Sequence, residues 1–597
     1  MLTSNCFKED LFMNKNIKFI IWGTIACLMS SCSSDLLNLN NPNALTSETA
    51  FNTEADLNSS LTGIYHQFYC SWYAQLNSNQ FSGQSDEMIS YSTADIQQYC
   101  NLIYSNKNVL WNDTGWDNLY AQIARCNQVI CNADNVASWS TYNKNMLVAQ
   151  ARAIRAYDYY QLAMMYQVAP YVDYVAKADD QPAQSTFSGL CQHIIADADS
   201  AYKYLPASYS DNYTGPSDWK GQYRVTKWFA ACVAAKTYMN WGDYLKGDYH
   251  YKEALPYFKD IIDNGGFQLC SNYSDNFNIY TENNSESIFE IQNEASSNGW
   301  RNYYGWDNNQ TTPSQSQWHW KFYAPSPLGW TDFNAERWIL PAFKNEMTKE
   351  TINGSNWDQR IPATIFYAGI FKDFPNHVQW QTWTATKGKA TADAPVSTDT
   401  PGFSWKDWDS SRVYINKYTA QYEDYSKVNS DNSEGTNYRI FRLGEIMLDY
   451  AECLAQTGDL KGAVDMINKV RNRAGLCDLG ERQKYAVTDI YKDPDTGETI
   501  DFNNDYGYPA FYNNSTSYTL SDIMKVLDIE SMKESCFECE RLVNLRRWGI
   551  SRDNDFLNRV KKRALKYEQN FTPVRAWIPM PTHDVDNNPN LKQLDGF

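Results

Sequence analysis

The segment Gly299-Trp300-Arg301-Asn302-Tyr303-Tyr304-Gly305-Trp306-Asp307-Asn308-Asn309-Gln310 interleaves aromatic rings with amides, a carboxylate and a guanidinium. Sugars present weakly apolar C–H faces between hydroxyl edges. A protein captures them by laying Trp or Tyr against the face and ringing it with hydrogen-bonding side chains. Trp318-His319-Trp320 places two indoles two residues apart, hence on one side of an extended backbone. Trp380, Trp383, Trp405 and Trp408 follow in the same polar stretch. Any one of these rings is as simply a packing residue, and for Trp330 and for Trp338, in an apolar helix-like run, packing is the expectation. Taken together, Trp300, Tyr303, Tyr304, Trp306, Trp318 and Trp320 read as a sugar-binding set.

Catalytic signatures do not accompany this set. Glycoside hydrolysis needs two facing carboxylates, and Asp307 and Asp332 near the aromatic cluster read more simply as hydroxyl acceptors. The chain carries no G-x-S-x-G, no H-E-x-x-H and no Walker-type glycine loop. No catalytic residue, metal ligand or cofactor is assigned, and the chain is expected not to be an enzyme. Asp493, Asp495, Gly497, Asp501 and Asp505 miss the spacing of an EF-hand and read as a solvated polar turn. Cys536 and Cys539 form a C-x-x-C without a second pair, so the fourteen cysteines are expected mainly as free thiols. A surface glycoside hydrolase and a helical scaffold without sugar binding are the competing readings.

The elements around the aromatic set are mostly helical. Residues Leu147 to Val168 place Ala153, Tyr157, Tyr160, Met164 and Val168 on one helical face, and Pro170 stops the run. Thr226–Trp241 leads through Gly242 into Tyr251–Ile262. Ile446–Gln456 leads through Gly458-Asp459 into Leu460–Arg473, with Leu460, Ala463, Ile467 and Val470 on one stripe. Such helix pairs look tetratricopeptide-like, and stacked repeats bury a continuous core. Ser287 to Gln292 alternates as a short strand. The fold class expected is mainly α, a scaffold of tetratricopeptide-like helix pairs carrying a loop-rich ligand-binding region and few short strands.

The N-terminus sets a compartment. Met13 to Lys18 is a basic region, and Phe19 to Met29 is an apolar run too short to span a bilayer, as in a cleavable signal peptide. Small residues before Cys32 form a lipobox-like end, with Cys32 the expected lipid anchor and Met29 out of pattern; translation is expected to start at Met13. The net charge of −18, with scattered acidic residues, disfavours nucleic acid and an anionic bilayer as docking surfaces. The division expected is 1–32 signal peptide with lipobox, 33–45 tether, 46–292 N-terminal helical part, 293–437 Trp-rich ligand-binding loops, and 438–597 C-terminal helices and tail, forming one interleaved unit.

Several motifs fall in a shared order. They include Asp35-Leu36-Leu37 through Pro42, Leu61-Thr62-Gly63-Ile64-Tyr65, Trp116-Asp117-Asn118-Leu119-Tyr120, and Arg442-Leu443-Gly444-Glu445-Ile446 continuing to Arg473-Ala474-Gly475-Leu476. Phe537-Glu538, Arg547-Trp548-Gly549 and Trp577-Ile578-Pro579-Met580-Pro581 complete the series. In this order the chain resembles the SusD/RagB family of outer-membrane nutrient-binding lipoproteins. Gly444 stands where the family usually has Ala, Cys539 where it has Gly, and Asn544 where it has Asp. The resemblance implies four tetratricopeptide-like helix pairs and an outer-membrane, lipid-anchored, outward-facing glycan-binding lipoprotein. It also implies a TonB-dependent barrel as partner, which receives captured oligosaccharide. Family ligand contacts come from the middle region and from the loop after an early Ser-x-Asp-Glu-like segment. Here that is Gln84-Ser85-Asp86-Glu87-Met88 followed by Tyr91, Asp95 and Tyr99, which adds Tyr91 to the candidate contacts. The loop lacks the Trp of starch-binding relatives, so starch is not assumed.

Overall fold

Local signals at the helix starts are explicit. The Thr53 hydroxyl accepts from Asp56 N while Asp56 reaches back to Thr53 N, and Thr519 and Asp522 repeat this capping box. Thr226 and Asp459 cap two further helices. The computed structural model describes residues 51–70, 73, 81–92, 94–104, 109–210, 213–293, 322–323, 330–376, 411–418, 435–514 and 517–597. Residues 53–597 form one compact unit. Its principal helices are α1 (Glu54–His66), α2 (Val109–Asn132), α3 (Lys144–Tyr166), α4 (Phe187–Tyr204), α5 (Lys227–Asn240) and α6 (Tyr251–Asn264). They continue with α7 (Leu443–Gln456), α8 (Leu460–Arg473), α9 (Leu520–Ser535), α10 (Arg541–Trp548) and the short α11 (Thr582–Asn587). The strands used below are β1 (Met88–Ser90), β2 (Ser287–Ile291), β3 (Phe333–Ala335), β4 (Ile365–Phe366), β5 (Val413–Ile415), β6 (Tyr438–Arg442), β7 (Ile490–Lys492) and β8 (Thr499–Asp501).

Helices α1/α2, α3/α4, α5/α6 and α7/α8 pack as successive pairs, each pair against the next, and α9 closes the stack against α7 and α8. This is the mainly helical, tetratricopeptide-like scaffold expected from the spacing. Two local expectations need correction. Helix α3 was expected to bury one face, yet every residue from Ala153 to Tyr166 is buried because α2, α4 and α5 surround it. In β2, alternation does not follow burial: Ile288 through Ile291 are all buried, since the strand pairs with β6 and its faces are both covered.

Within a largely apolar core, a buried charge cluster sits where α7, α8 and α9 meet. Arg442, fully buried, donates to Glu538 at 2.8 and 2.9 Å, to Glu534 at 2.5 Å and to Glu286 at 3.1 Å. Arg473, Arg360 and Lys417 share these acceptors, and Arg471 and Arg482 hold Glu346 nearby. Buried charges of this kind are tolerated only when each is paired and hydrogen-bonded. Gly444 is explained by this cluster: a Cβ there would sit 2.8 Å from both Arg442 Nη1 and Glu286 Oε1. Cys539 is the opposite case. It holds φ at 77°, a left-handed conformation in which glycine carries no penalty, and its Sγ lies 3.0 Å from the Tyr438 hydroxyl. Cys536 and Cys539 are both free thiols.

Candidate functional site

A four-stranded sheet in the order β1-β3-β5-β4 gathers the described part of the site. β1 pairs antiparallel with β3 through Ser90 and Phe333, so the chain leaving β1 runs beside the chain entering β3. The Ser92 hydroxyl donates to Asp332 across this join, and Gln97 Nε2 donates to Ser92 O at 2.7 Å. β5 pairs with β3 through Val413 and Ala335, so Arg412 starts from the Ala335 end of β3 and its side chain reaches back to Tyr91. There the Arg412 guanidinium lies 4.1 Å from the centroid of the Tyr91 ring. Arg337, just beyond β3, hydrogen-bonds Tyr91 and pairs with Asp495 at 3.3 Å. Burial raises the Tyr91 phenol above its ordinary value against the pull of the two guanidiniums, so the ring is neutral.

Tyr91 is 38% exposed and Trp330 40% exposed, so both present ring surface to solvent. Trp330 was expected to pack within the scaffold, and it does pack in part while keeping 40% of its surface exposed. Thr331 adopts φ 59°, a left-handed turn shortly before β3, and the indole packs edge-on against Phe322 at 5.4 Å. Trp338, by contrast, is fully buried as expected. Its indole N–H donates to Asp86 O at 2.6 Å and the Arg563 guanidinium covers its ring at 4.7 Å. Asp332 accepts the Ser92 hydroxyl, and burial raises its carboxyl.

The platform is held from below by the C-terminal part. Asp86 receives Arg541 at 2.7 and 2.9 Å and Arg563 at 2.9 Å, and Lys566 Nζ donates to Gly83 O and Met88 O at either end of the turn. Glu87 accepts from Phe537 N at 3.1 Å, while its backbone oxygen accepts from Glu336 N at 2.7 Å. Burial pushes both Glu87 and Glu336 up to about 8. The Ser85-Asp86-Glu87 stretch is therefore the buried footing of the Tyr91 loop, and Tyr99 is buried in a stack on Tyr104.

Of the residues named from sequence, Tyr91 stands on this platform. Trp300, Tyr303, Tyr304, Trp306, Trp318 and Trp320 lie outside the described residues, as do Trp380, Trp383, Trp405, Trp408, Asp307 and Cys32, the expected anchor. The stretches that carry those tryptophans join the described chain at Trp330 and at Ser411-Arg412, beside Tyr91. Sequence reasoning missed Ser92, Arg337 and Arg412 because no local pattern marks them; their proximity comes from strand pairing. The Asp493 and Asp501 turns are polar as expected, but Asp493 is buried rather than solvated. Asp493 Oδ1 accepts from Asp495 N and Thr496 N, and Asp501 Oδ1 accepts from Asn503 N and Asn504 N. No described helix is long and apolar enough to cross a membrane.

The model of the SusD family matches residues 285–597. The chain belongs to the SusD family. A second family model, described as starch-binding associating with outer membrane, matches residues 35–239. A SusD-like protein of Bacteroides ovatus is 23% identical over 514 residues, covering 83% of this chain and 82% of that protein. Among solved structures, a SusD superfamily protein of Bacteroides vulgatus superposes with a TM-score of 0.66 at 19% identity, covering 92% of this chain and all of that one. Surface glycan-binding protein A of Bacteroides thetaiotaomicron, in complex with laminarihexaose, gives a TM-score of 0.63 at 19% identity, covering 91% and 99% of the two chains.

Proposed function

We propose that this SusD-family chain captures oligosaccharides at the cell surface and delivers them to a TonB-dependent outer-membrane barrel, anchored by lipid at Cys32 and facing the exterior. The observation that carries glycan capture is the exposed Tyr91–Trp330 platform. Tyr91 and Trp330 keep ring surface exposed on the two chains that meet at the Ser90–Phe333 join, where the Ser92 hydroxyl and the Asp332 carboxylate also lie, and the Arg412 guanidinium reaches the Tyr91 ring. Rings supply the apolar contact with sugar C–H faces, and Asp332, Ser92 and Arg412 supply partners for hydroxyls. Trp300, Tyr303, Tyr304, Trp306, Trp318 and Trp320 belong to the same surface in this reading. Delivery to a barrel is supported by the family resemblance and lipid anchoring by the lipobox-like end at Cys32, and a second family model matching residues 35–239 is described as associating with the outer membrane.

Calorimetry with laminarihexaose and a panel of other oligosaccharides tests the reading. Tyr91→Ala and Trp330→Ala are expected each to weaken binding of whichever glycan binds by roughly 2- to 10-fold, the equivalent of about 0.5–1.5 kcal/mol per stacking ring. Unchanged affinity in both variants overturns the platform, and release of reducing ends from a bound glycan overturns capture without turnover.

A further inference from the structure

Away from the Tyr91 platform, the loop between α4 and α5 lines a groove on the helical stack. Two adjoining clefts, of about 340 and 500 Å³, have six lining residues in common. Four come from this loop, Gly221, Gln222, Tyr223 and Arg224, and two from β2, Phe289 and Glu290. The smaller cleft is bounded by Tyr65 and Tyr69 at the end of α1, and the larger runs past the start of α5 to Gly265 and Gly266 after α6. Clefts of this size are those of small-molecule sites. No residue of the platform lines either one.

The loop is fixed on both sides of its exposed ring. Gly221 N donates to Tyr209 O at 2.5 Å, and Val225 N donates to the Tyr65 hydroxyl at 3.1 Å. Between these anchors Tyr223 is 58% exposed and makes no hydrogen bond or ring contact among the described residues. One exposed ring means little by itself, but a held cation stands beside it. The Arg224 guanidinium lies 5.1 Å from the ring centroids of both Tyr65 and Trp219. Its Nε donates to Gln222 Oε1 at 2.9 Å and its Nη1 to Gln150 Oε1 at 3.3 Å. Among the described residues Nη2 has no acceptor, and no carboxylate comes within ion-pair distance of the group. Glu290, the carboxylate of the shared lining, is already spent: it pairs with Arg439 at 3.1 Å and accepts from Asn283 N and Asn437 Nδ2. Among the lining residues the groove therefore carries one uncompensated charge, and it is positive in a chain of net charge −18.

We propose that this groove is a second carbohydrate site, one that takes an acidic oligosaccharide. A uronate carboxylate pairs with Arg224, the sugar face lies against Tyr223, and hydroxyls meet Gln222 and the exposed Ser210. A guanidinium edge gives a carboxylate charge-assisted hydrogen bonds, and a phenol ring gives the C–H face its apolar contact. β2 leads out of the smaller cleft at Ile291 and Gln292 into the Trp-rich stretch that starts at Asn293, so the groove is continuous in the chain with the proposed glycan-binding loops. The ligand class rests on the reading of this chain as a glycan-capturing protein; the site does not rest on the Tyr91 platform.

The test is calorimetric titration of the purified protein with oligomers of galacturonate, glucuronate and guluronate, with laminarihexaose as the neutral sugar and a glutamate hexapeptide as the non-sugar polyanion. At least one oligouronate is expected to bind, about 10-fold or more weakly in Arg224→Gln and roughly 2- to 10-fold more weakly in Tyr223→Ala. Tyr91→Ala should leave that binding unchanged, whatever it does to laminarihexaose, which keeps a failure of this site distinct from a failure of the platform. Arg224 also braces Tyr65 and Gln150, so Tm is measured for each variant; Tyr223→Ala removes an exposed ring and should leave Tm unchanged. Absence of binding by every oligouronate overturns the proposal. So does oligouronate affinity that both groove variants leave unchanged, or that only Tyr91→Ala weakens. Equal affinity for the glutamate hexapeptide overturns the assignment to a sugar.

Discussion

Replacing Glu87 with glutamine isolates one buried proton beneath the candidate site. Glu87 is 1% exposed, its Oε2 accepts from Phe537 N, and its Oε1 has no partner among the described residues. Burial raises the carboxyl from its ordinary 4.5 to about 8. Below the ordinary value, folded and unfolded chains both hold the proton and nothing is lost. Between that value and about 8 the unfolded chain releases the proton while the folded chain keeps it. Stability therefore falls with rising pH, by up to roughly 1.4 kcal/mol per pH unit from this group, and levels off once the folded carboxyl ionises. At pH 7 the accumulated cost is roughly 3 kcal/mol by this linkage. Glutamine keeps the shape and an acceptor for Phe537 N but carries no titration. Urea unfolding from pH 5 to pH 9 should show Glu87→Gln gaining on the native protein as pH rises, with the gap reaching a plateau above about pH 8. Glu336, also raised to about 8, leaves a residual slope in the variant. Parallel stability curves, with a gap independent of pH, would refute the reasoning.

Two further predictions concern the buried charge cluster. Arg442→Met removes the guanidinium shared by Glu286, Glu534 and Glu538 and leaves buried carboxylates short of a partner. It should cost about 3–5 kcal/mol, read as a lower urea midpoint, and an unchanged midpoint would contradict the buried network. Gly444→Ala should also lower the midpoint, by about 1–3 kcal/mol, although alanine is the family's usual residue at this position. The added methyl collides first with Glu534 Oε1 and meets Arg442 and Glu286 at 2.8 Å, so a stabilised variant would show that the cluster is looser than described.

How far the sequence could be read depended on the range of the signal. Helix starts were legible because caps act within three residues: Thr226 opens α5, and Asp459 accepts from Gly462 N at 2.8 Å to open α8. The turn before α8 was legible because Gly458, at φ 98°, takes a backbone that other residues resist. Burial was less legible. The stripe in α3 identified a helix correctly and its environment incorrectly, since a periodic pattern does not report how many neighbours will surround an element. The ordered motifs spoke for the family because many weak local matches in one sequence order are jointly specific.

The candidate site divides along the same line. Sequence alone determined the chemistry on offer: a Trp- and Tyr-rich polar stretch, the Tyr91 loop, and the absence of recognised catalytic signatures. Only the tertiary structure decided that Trp330 faces solvent, that Arg412 lies over Tyr91, and that Asp86 is gripped by Arg541 and Arg563. These relations join residues hundreds of positions apart through strand pairing and buried charge. Side-chain periodicity is a property of the local backbone, whereas the partner of a buried carboxylate depends on which distant segment arrives to neutralise it.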